Sequence, residues 1–158
     1  MTTFSKEIIR KYALNYLNRY ASSKRNLELI LLRKVKKLGL REKEYESFIK
    51  DILKELEYKK IINDENLANS MAFTYARNGK SKINIKYYLI KKGISSKDIN
   101  NALEKLEEEI PDFEYESAMI FAKKRKLGKF GKSNNKEKDL SKMARAGFSY
   151  DLIKKIFN

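Results

Sequence analysis

Apolar residues recur along this chain at steps of three and four, the spacing that places side chains on one face of a helix. Sustained alternation of apolar and polar residues, the mark of a half-buried strand, is lacking, so the pattern predicts an all-α protein. Three glycines punctuate it: Gly39, Gly93 and Gly147, each 54 residues from the next. They end the runs RKVKKLG, YYLIKKG and SKMARAG, where a residue free to adopt the left-handed conformation closes a helix. Apolar positions repeat with them. Leu40, Ile94 and Phe148 follow by one residue, Tyr45, Ile99 and Ile153 by six, and Ile49, Leu103 and Phe157 by ten. Upstream, the segments ALNYL, ANSMA and AMIFA begin at Ala13, Ala68 and Ala118, small residues that let two helices approach closely. Helix-ending glycines are common, but two equal intervals with matching apolar positions point to an internal repeat.

Each repeat is expected to hold three helices. The first uses about 6–20, 26–38 and 42–59, the second 65–77, 82–92 and 96–109, and the third 113–126, 136–146 and 150–157. Helix-start signals agree with several of these. Ser95 with Asp98 forms a capping box, Ser149 caps the last helix, and Asn63 or Asp64 caps the helix after the first repeat. Pro111 marks a break between the second and third repeats. The expected domains are therefore three three-helix repeats, 1–62, 63–112 and 113–158, in an elongated monomeric array.

Charge changes the picture more than hydrophobicity does. The chain carries 36 Lys and Arg against 21 Asp and Glu, a formal net charge of +15. Such a surplus attracts polyanions, with nucleic acid ahead of an anionic membrane surface or an acidic protein face; the competing explanation is a lysine-rich compositional bias. There is no cysteine and no histidine, so thiolate chemistry and the commonest metal ligand and general base are excluded. Residues 1–10 hold no signal-peptide-like apolar stretch, and no window approaches the ~20 apolar residues of a membrane span. A cytoplasmic protein without membrane association is expected.

The charge is uneven. Residues 1–62 carry net +8, residues 63–112 net zero and residues 113–158 net +7. The middle helix of each repeat carries repeated basic residues: Arg33, Lys34, Lys36 and Lys37 in the first, Lys86, Lys91 and Lys92 in the second, Lys142 and Arg145 in the third. In the second repeat Lys80, Lys82, Lys86, Lys91 and Lys92 precede the acidic stretch Glu104–Glu109. Lys37, Lys91 and Arg145 are equivalent in the repeat; residues so placed also offset the helix dipole without any ligand. The densest run is Lys123, Lys124, Arg125 and Lys126, then Leu127, Gly128 and Lys129. A positive run entering a glycine-containing loop can meet phosphates through side chains and backbone N–H groups, or it is simply solvated. Phe130 after it either stacks on a base or anchors the loop. Gly131-Lys132-Ser133 matches the end of a phosphate-binding loop, but Lys126 stands where the first glycine is required and no strand precedes it. No nucleophile, base, metal site or cofactor motif emerges, so a non-enzymatic binding protein without cofactors is expected.

Several segments together resemble the RecX regulatory proteins. They are ALNYLNRYASSKRNLELILLRKV in the first repeat, INDENLA at the junction, ARNGKSKINIKYYLIKKGIS in the second, and FAKKRKLGKFG with MARAGFSYDLIKKIF in the third. They span nearly the whole chain in the family's order and look closest to the alphaproteobacterial branch. The resemblance implies three tandem three-helix units, binding to RecA filaments, and control, mostly inhibition, of recombination and the DNA-damage (SOS) response. It implies contact with RecA and with single-stranded and double-stranded DNA, and no catalytic residues. Arg77 and Gly79 fit the family's turn before the middle helix of the second unit, and Lys92-Gly93-Ile94 fits its Lys-Gly-Ile signature. Asn78 and Lys80 depart from the pattern around that turn. The alternatives that the residues leave open are a sequence-nonspecific DNA-binding helical-repeat protein that does not target RecA and, more distantly, a helical protein–protein adaptor whose basic face is incidental.

Overall fold

A computed structural model describes residues 1–158. The chain forms nine α-helices and no strand: α1 (Thr3–Arg19), α2 (Lys24–Lys37), α3 (Glu42–Tyr58), α4 (Asp64–Arg77), α5 (Lys82–Lys91), α6 (Ser96–Glu109), α7 (Phe113–Arg125), α8 (Lys136–Arg145) and α9 (Tyr150–Phe157). A single 3₁₀ turn, Gly128–Phe130, lies between α7 and α8. Three helices thus fall in each expected repeat, with ends within three residues of the expectation. Two compact units result: Met1–Leu67 with Lys92–Ile94, and Ala68–Lys91 with Ser95–Asn158.

In the first unit, α2 turns Leu27, Leu31 and Val35 inward at steps of four, and α3 adds Tyr45, Ile49, Ile52, Leu53 and Leu56. With Ile9, Ala13 and Ile62 these make one buried cluster. Fully burying a Leu or Ile side chain contributes about 1.5–3 kcal/mol. The Tyr45 phenol shares a hydrogen bond of 2.5 Å with the Ser5 hydroxyl, which keeps both buried polar groups satisfied. Thr2 caps α1 reciprocally with Ser5, and Ser23 caps α2 through Asn26 N.

In the second unit, α4 presents Ala68, Ala72 and Ala76, all buried, and this small-residue stripe permits close helix approach. The Ser117 hydroxyl of α7 reaches it and donates to the Ala76 carbonyl at 3.0 Å. Ile85 and Leu89 of α5 and Ile99, Ala102, Leu103 and Leu106 of α6 face inward. Ala118, Ala122, Leu127, Met143, Phe148, Ile153 and Ile156 form the cluster under α7, α8 and α9. The repeat-equivalent trios Ala13, Ala68, Ala118 and Tyr45, Ile99, Ile153 are all buried.

Each unit uses the same joint. In the first, the Ser23 hydroxyl donates to the Lys92 carbonyl, and Asp64 Oδ1 accepts from Lys24 N at 2.9 Å. In the second, the Ser81 hydroxyl donates to the Ala146 carbonyl at 2.7 Å, and Glu114 Oε1 accepts from Lys82 N at 3.1 Å. A serine before a middle helix therefore holds the carbonyl preceding a periodic glycine, and an acid opening a later helix takes a free N–H of the first turn. Gly39, Gly93 and Gly147 all have positive φ, at 71°, 77° and 91°.

Of the two residues expected to cap α4, Asn63 does so, accepting from Asn66 N at 3.0 Å, while Asp64 accepts from Lys24 N of α2. One cap differs from expectation. Ser95 caps α6 through Asp98 N, but the Asp98 carboxylate accepts from the Ser95 hydroxyl rather than from its backbone N–H.

Candidate nucleic-acid interface

The Ala146 carbonyl accepts from both Ser81 Oγ, at 2.7 Å, and Asn84 Nδ2, at 3.0 Å. These two hydrogen bonds lock the end of α8 to the start of α5. A cleft of about 500 Å³ opens beside it, lined by Lys80, Asn84, Phe121, Arg125, Lys142, Arg145 and Ala146. Lys80 comes from the turn before α5, Arg125 from the end of α7, and Lys142 and Arg145 from the last turn of α8.

Four cations thus border one cleft with no acidic side chain in its lining, and none of the four forms an ion pair. Helix dipoles account for only part of this. Three helix C-termini, those of α4, α7 and α8, each contribute roughly −0.5 charge, together less than half of the four positive charges. Aromatic faces steady two of the groups: the Arg125 guanidinium lies 5.8 Å from the Phe121 ring centre and Lys80 Nζ 5.7 Å from that of Tyr88. Guanidinium groups grip phosphate oxygens in pairs and lysines act as point charges, so the cleft has the chemistry of a phosphate-backbone site.

Of the residues expected to bind, the cleft brings together Arg125 and Arg145. The others lie elsewhere. Arg33, Lys34 and Lys37 sit on α2 in the first unit, with Lys34 Nζ 4.8 Å from the Tyr12 ring centre. Lys92 lies in the turn that belongs to that unit. Arg77 ends α4 in the open. Lys86 and Lys91 are on the exposed side of α5, and Lys82 is ion-paired with Glu107. Lys123 and Lys129 flank the Phe130 ring. Lys124 Nζ donates to the Asn78 carbonyl at 3.4 Å, and Lys126 is the left-handed cap of α7.

The glycine loop differs from a phosphate cradle. Its N–H groups are used internally: Gly128 N donates to the buried Asp139 carboxylate at 2.8 Å, Phe130 N to the Leu127 carbonyl and Gly131 N to that of Gly128. Phe130 is partly buried against the cluster under α7 and α8, so it anchors the loop. The other two cleft cations are Lys142, legible in the sequence only as a basic residue of the third middle helix, and Lys80. Lys142 stands three residues before Arg145, on the same helix face; nothing periodic marks Lys80. No group of three potential ligand side chains is placed to hold a metal ion, and no helix is long and apolar enough to cross a membrane.

Comparisons with known proteins agree over most of the chain. A family model described as RecX, second three-helix domain, matches residues 63–103. The regulatory protein RecX of Myxococcus xanthus (strain DK1622) is 30% identical over 155 residues, covering 92% of this chain and 82% of that protein. The regulatory protein RecX of Clostridioides difficile (strain 630) is 34% identical over 116 residues, 72% of this chain and 53% of its own length. The crystal structure of RecX from Lactobacillus salivarius superposes with a TM-score of 0.74 at 27% identity, covering 98% of this chain and 96% of that one. A second crystal structure, of a regulatory protein RecX, shares the fold with a TM-score of 0.65 at 23% identity, over 94% of this chain and 70% of its own.

Proposed function

The chain belongs to the RecX family of regulatory proteins, and on that premise we propose that it binds RecA nucleoprotein filaments and modulates, mostly by inhibition, the RecA ATPase and recombinase activities. It would in this way regulate recombination, DNA repair and the SOS response, as a monomeric, cytoplasmic, non-catalytic protein without cofactors. Residues 1–62, 63–112 and 113–158 would act as one array. The affiliation with the alphaproteobacterial branch rests on the resemblance of sequence alone; the relatives above come from Myxococcus and Clostridioides.

The observation that carries the reading is the unpaired quartet Lys80, Arg125, Lys142 and Arg145 around one cleft. A phosphate backbone, single-stranded or duplex, supplies the missing negative charge at regular intervals. Anchoring on DNA puts the protein beside RecA, where occupying the filament hinders its turnover. The test is RecA-dependent ATP hydrolysis and strand exchange with added protein, alongside binding to bare DNA. The double variant Lys142→Glu, Arg145→Glu is expected to fold and to bind bare DNA more weakly. It should flatten the slope of log K against log salt by ~0.9 per lost contact on duplex and ~0.7 on single strands. Equal binding to bare DNA and filament, with no effect on RecA turnover, would instead favour the RecA-independent DNA-binding reading.

A further inference from the structure

Helix α5 carries its apolar residues on two sides. Ile85 and Leu89 are buried, as an amphipathic helix requires. Ile83, Tyr87 and Ile90 are 67%, 52% and 55% exposed, and their i, i+4, i+7 spacing sets them in a line on the outer face. Isolated exposed apolar residues are ordinary, but a contiguous line of three on one helix marks an interaction surface. The repeat sharpens the contrast. At the positions 54 residues away stand Leu29, Arg33 and Lys36 in the first repeat and Glu137, Ser141 and Ala144 in the third. Only the middle repeat makes this face apolar. Nor does the helix gain locally from it, since isoleucine and tyrosine are weaker helix formers than alanine or lysine.

The surroundings define the partner. α5 has no acidic residue; its charges are Lys82, Lys86 and Lys91. Lys82 is matched by Glu107, whereas Lys91 Nζ lies 5.0 Å from the Tyr87 ring centre with no carboxylate partner. The line is therefore apolar in the middle and positive along its border. The Tyr87 ring also lies 5.9 Å from that of Tyr88, which in turn lies 5.0 Å from that of Tyr75. Two of the three residues are isoleucines, which neither pair with phosphates nor offer a flat surface to a base, and this disfavours nucleic acid. A second copy of the same face would set lysine against lysine.

We propose that the Ile83–Tyr87–Ile90 face of α5 is a docking surface for a protein partner whose apolar patch is bordered by carboxylates. On the RecA-filament reading above, on which this assignment rests, that partner is RecA itself, while the basic cleft of the same unit takes the DNA. Protein contact and DNA contact are then carried by different residues and are separable by substitution.

The test compares the wild-type chain with Ile83→Ser, Ile90→Ser and, because Ile83 also neighbours the Gly147 turn, with Ile90→Ser alone. Each is assayed against RecA filaments on single-stranded DNA, the bare oligonucleotide, and vesicles containing anionic lipid, after circular dichroism establishes native helicity. The double variant should lose about tenfold or more in filament affinity, the scale of an interface anchor, and the single variant a smaller part of that. Affinity for the oligonucleotide and its salt slope should stay at wild-type values. Unchanged filament affinity in folded variants overturns the docking surface. Parallel loss on the bare oligonucleotide assigns the face to DNA, and loss confined to vesicles assigns it to a membrane; either result overturns the proposal. A wild-type chain that does not bind filaments refutes the functional reading, and the RecA assignment with it.

Discussion

Replacing each periodic glycine by alanine separates two costs that coincide in the native chain. All three residues have positive φ, at 71°, 77° and 91°, so each alanine meets the left-handed penalty of about 1–2 kcal/mol. The less flexible unfolded chain returns about 0.4–1 kcal/mol of that. At Gly39 nothing lies within 4 Å of the added Cβ, so the net loss should stay near 1 kcal/mol. At Gly93 the Cβ would stand 2.7 Å from Arg25 Cβ, and at Gly147 2.5 Å from Ser81 Oγ. Overpacking adds about 1–3 kcal/mol. At Gly147 the displaced serine also loses its bond to the Ala146 carbonyl, another ~0.5–1.5 kcal/mol. The expected order is Gly39→Ala mildest, Gly93→Ala intermediate and Gly147→Ala worst, at about 2–5 kcal/mol.

Urea unfolding of the three variants measures this, with native-state hydrogen exchange to assign each loss, because two compact units need not melt together. In a Ser81→Ala background the clash at Gly147 disappears, so Gly147→Ala should there cost only its backbone share, a coupling of about 1 kcal/mol or more. Equal losses at all three glycines, or no coupling with Ser81, would show that the glycines serve backbone conformation alone and that the joint contributes nothing.

Two further outcomes follow from single side chains. Asp139→Ala removes the acceptor of Gly128 N at a residue that is 2% exposed; unfolding of the second unit should become easier by about 1–3 kcal/mol, and the Gly128 amide should exchange faster, whereas an unchanged exchange rate would place the loop under other control. Glu55 accepts hydrogen bonds from Arg10 and Lys59, which hold its carboxyl at about 2 instead of 4.5. Because the folded value is the lower one, its small stabilisation is present above pH 4.5 and is lost as pH falls toward 2. The residue is exposed, so 1 M salt should bring the NMR titration midpoint back up; a midpoint that stays near 4.5 at low salt refutes the pairing.

The helices were legible because their determinants are local. Buried residues at steps of four, a left-handed glycine and a capping serine act within one or two turns, and α6 and α9 begin and end where those signals place them. The joint was not legible. Ser23 with Lys92 and Ser81 with Ala146 are pairs 69 and 65 residues apart, and an uncharged hydroxyl before a helix looks the same in sequence whether it caps its own helix or also holds a distant carbonyl. Asp139 was equally hidden. An acid in the first turn of α8 suits the helix dipole, and only the fold shows that it enters the interior to hold Gly128.

Charge density along the chain proved a poor guide to charge density in space, for a geometric reason. Successive residues on a helix are turned by about 100°, so a basic run disperses instead of concentrating. Lys123, Lys124 and Arg125 point three ways: over the Phe130 ring, to the Asn78 carbonyl and into the cleft beside Phe121. Only one of the three contributes to the cleft. The remainder of its positive charge comes from Lys80, in the turn between Arg77 and Lys82, and from Lys142 and Arg145, one helical turn apart on α8. An anion held there answers to residues brought together from three separate helix ends. A charge reversal at Lys124 should accordingly weaken DNA binding less than the same change at Lys142, although the sequence around Lys124 is the more basic of the two.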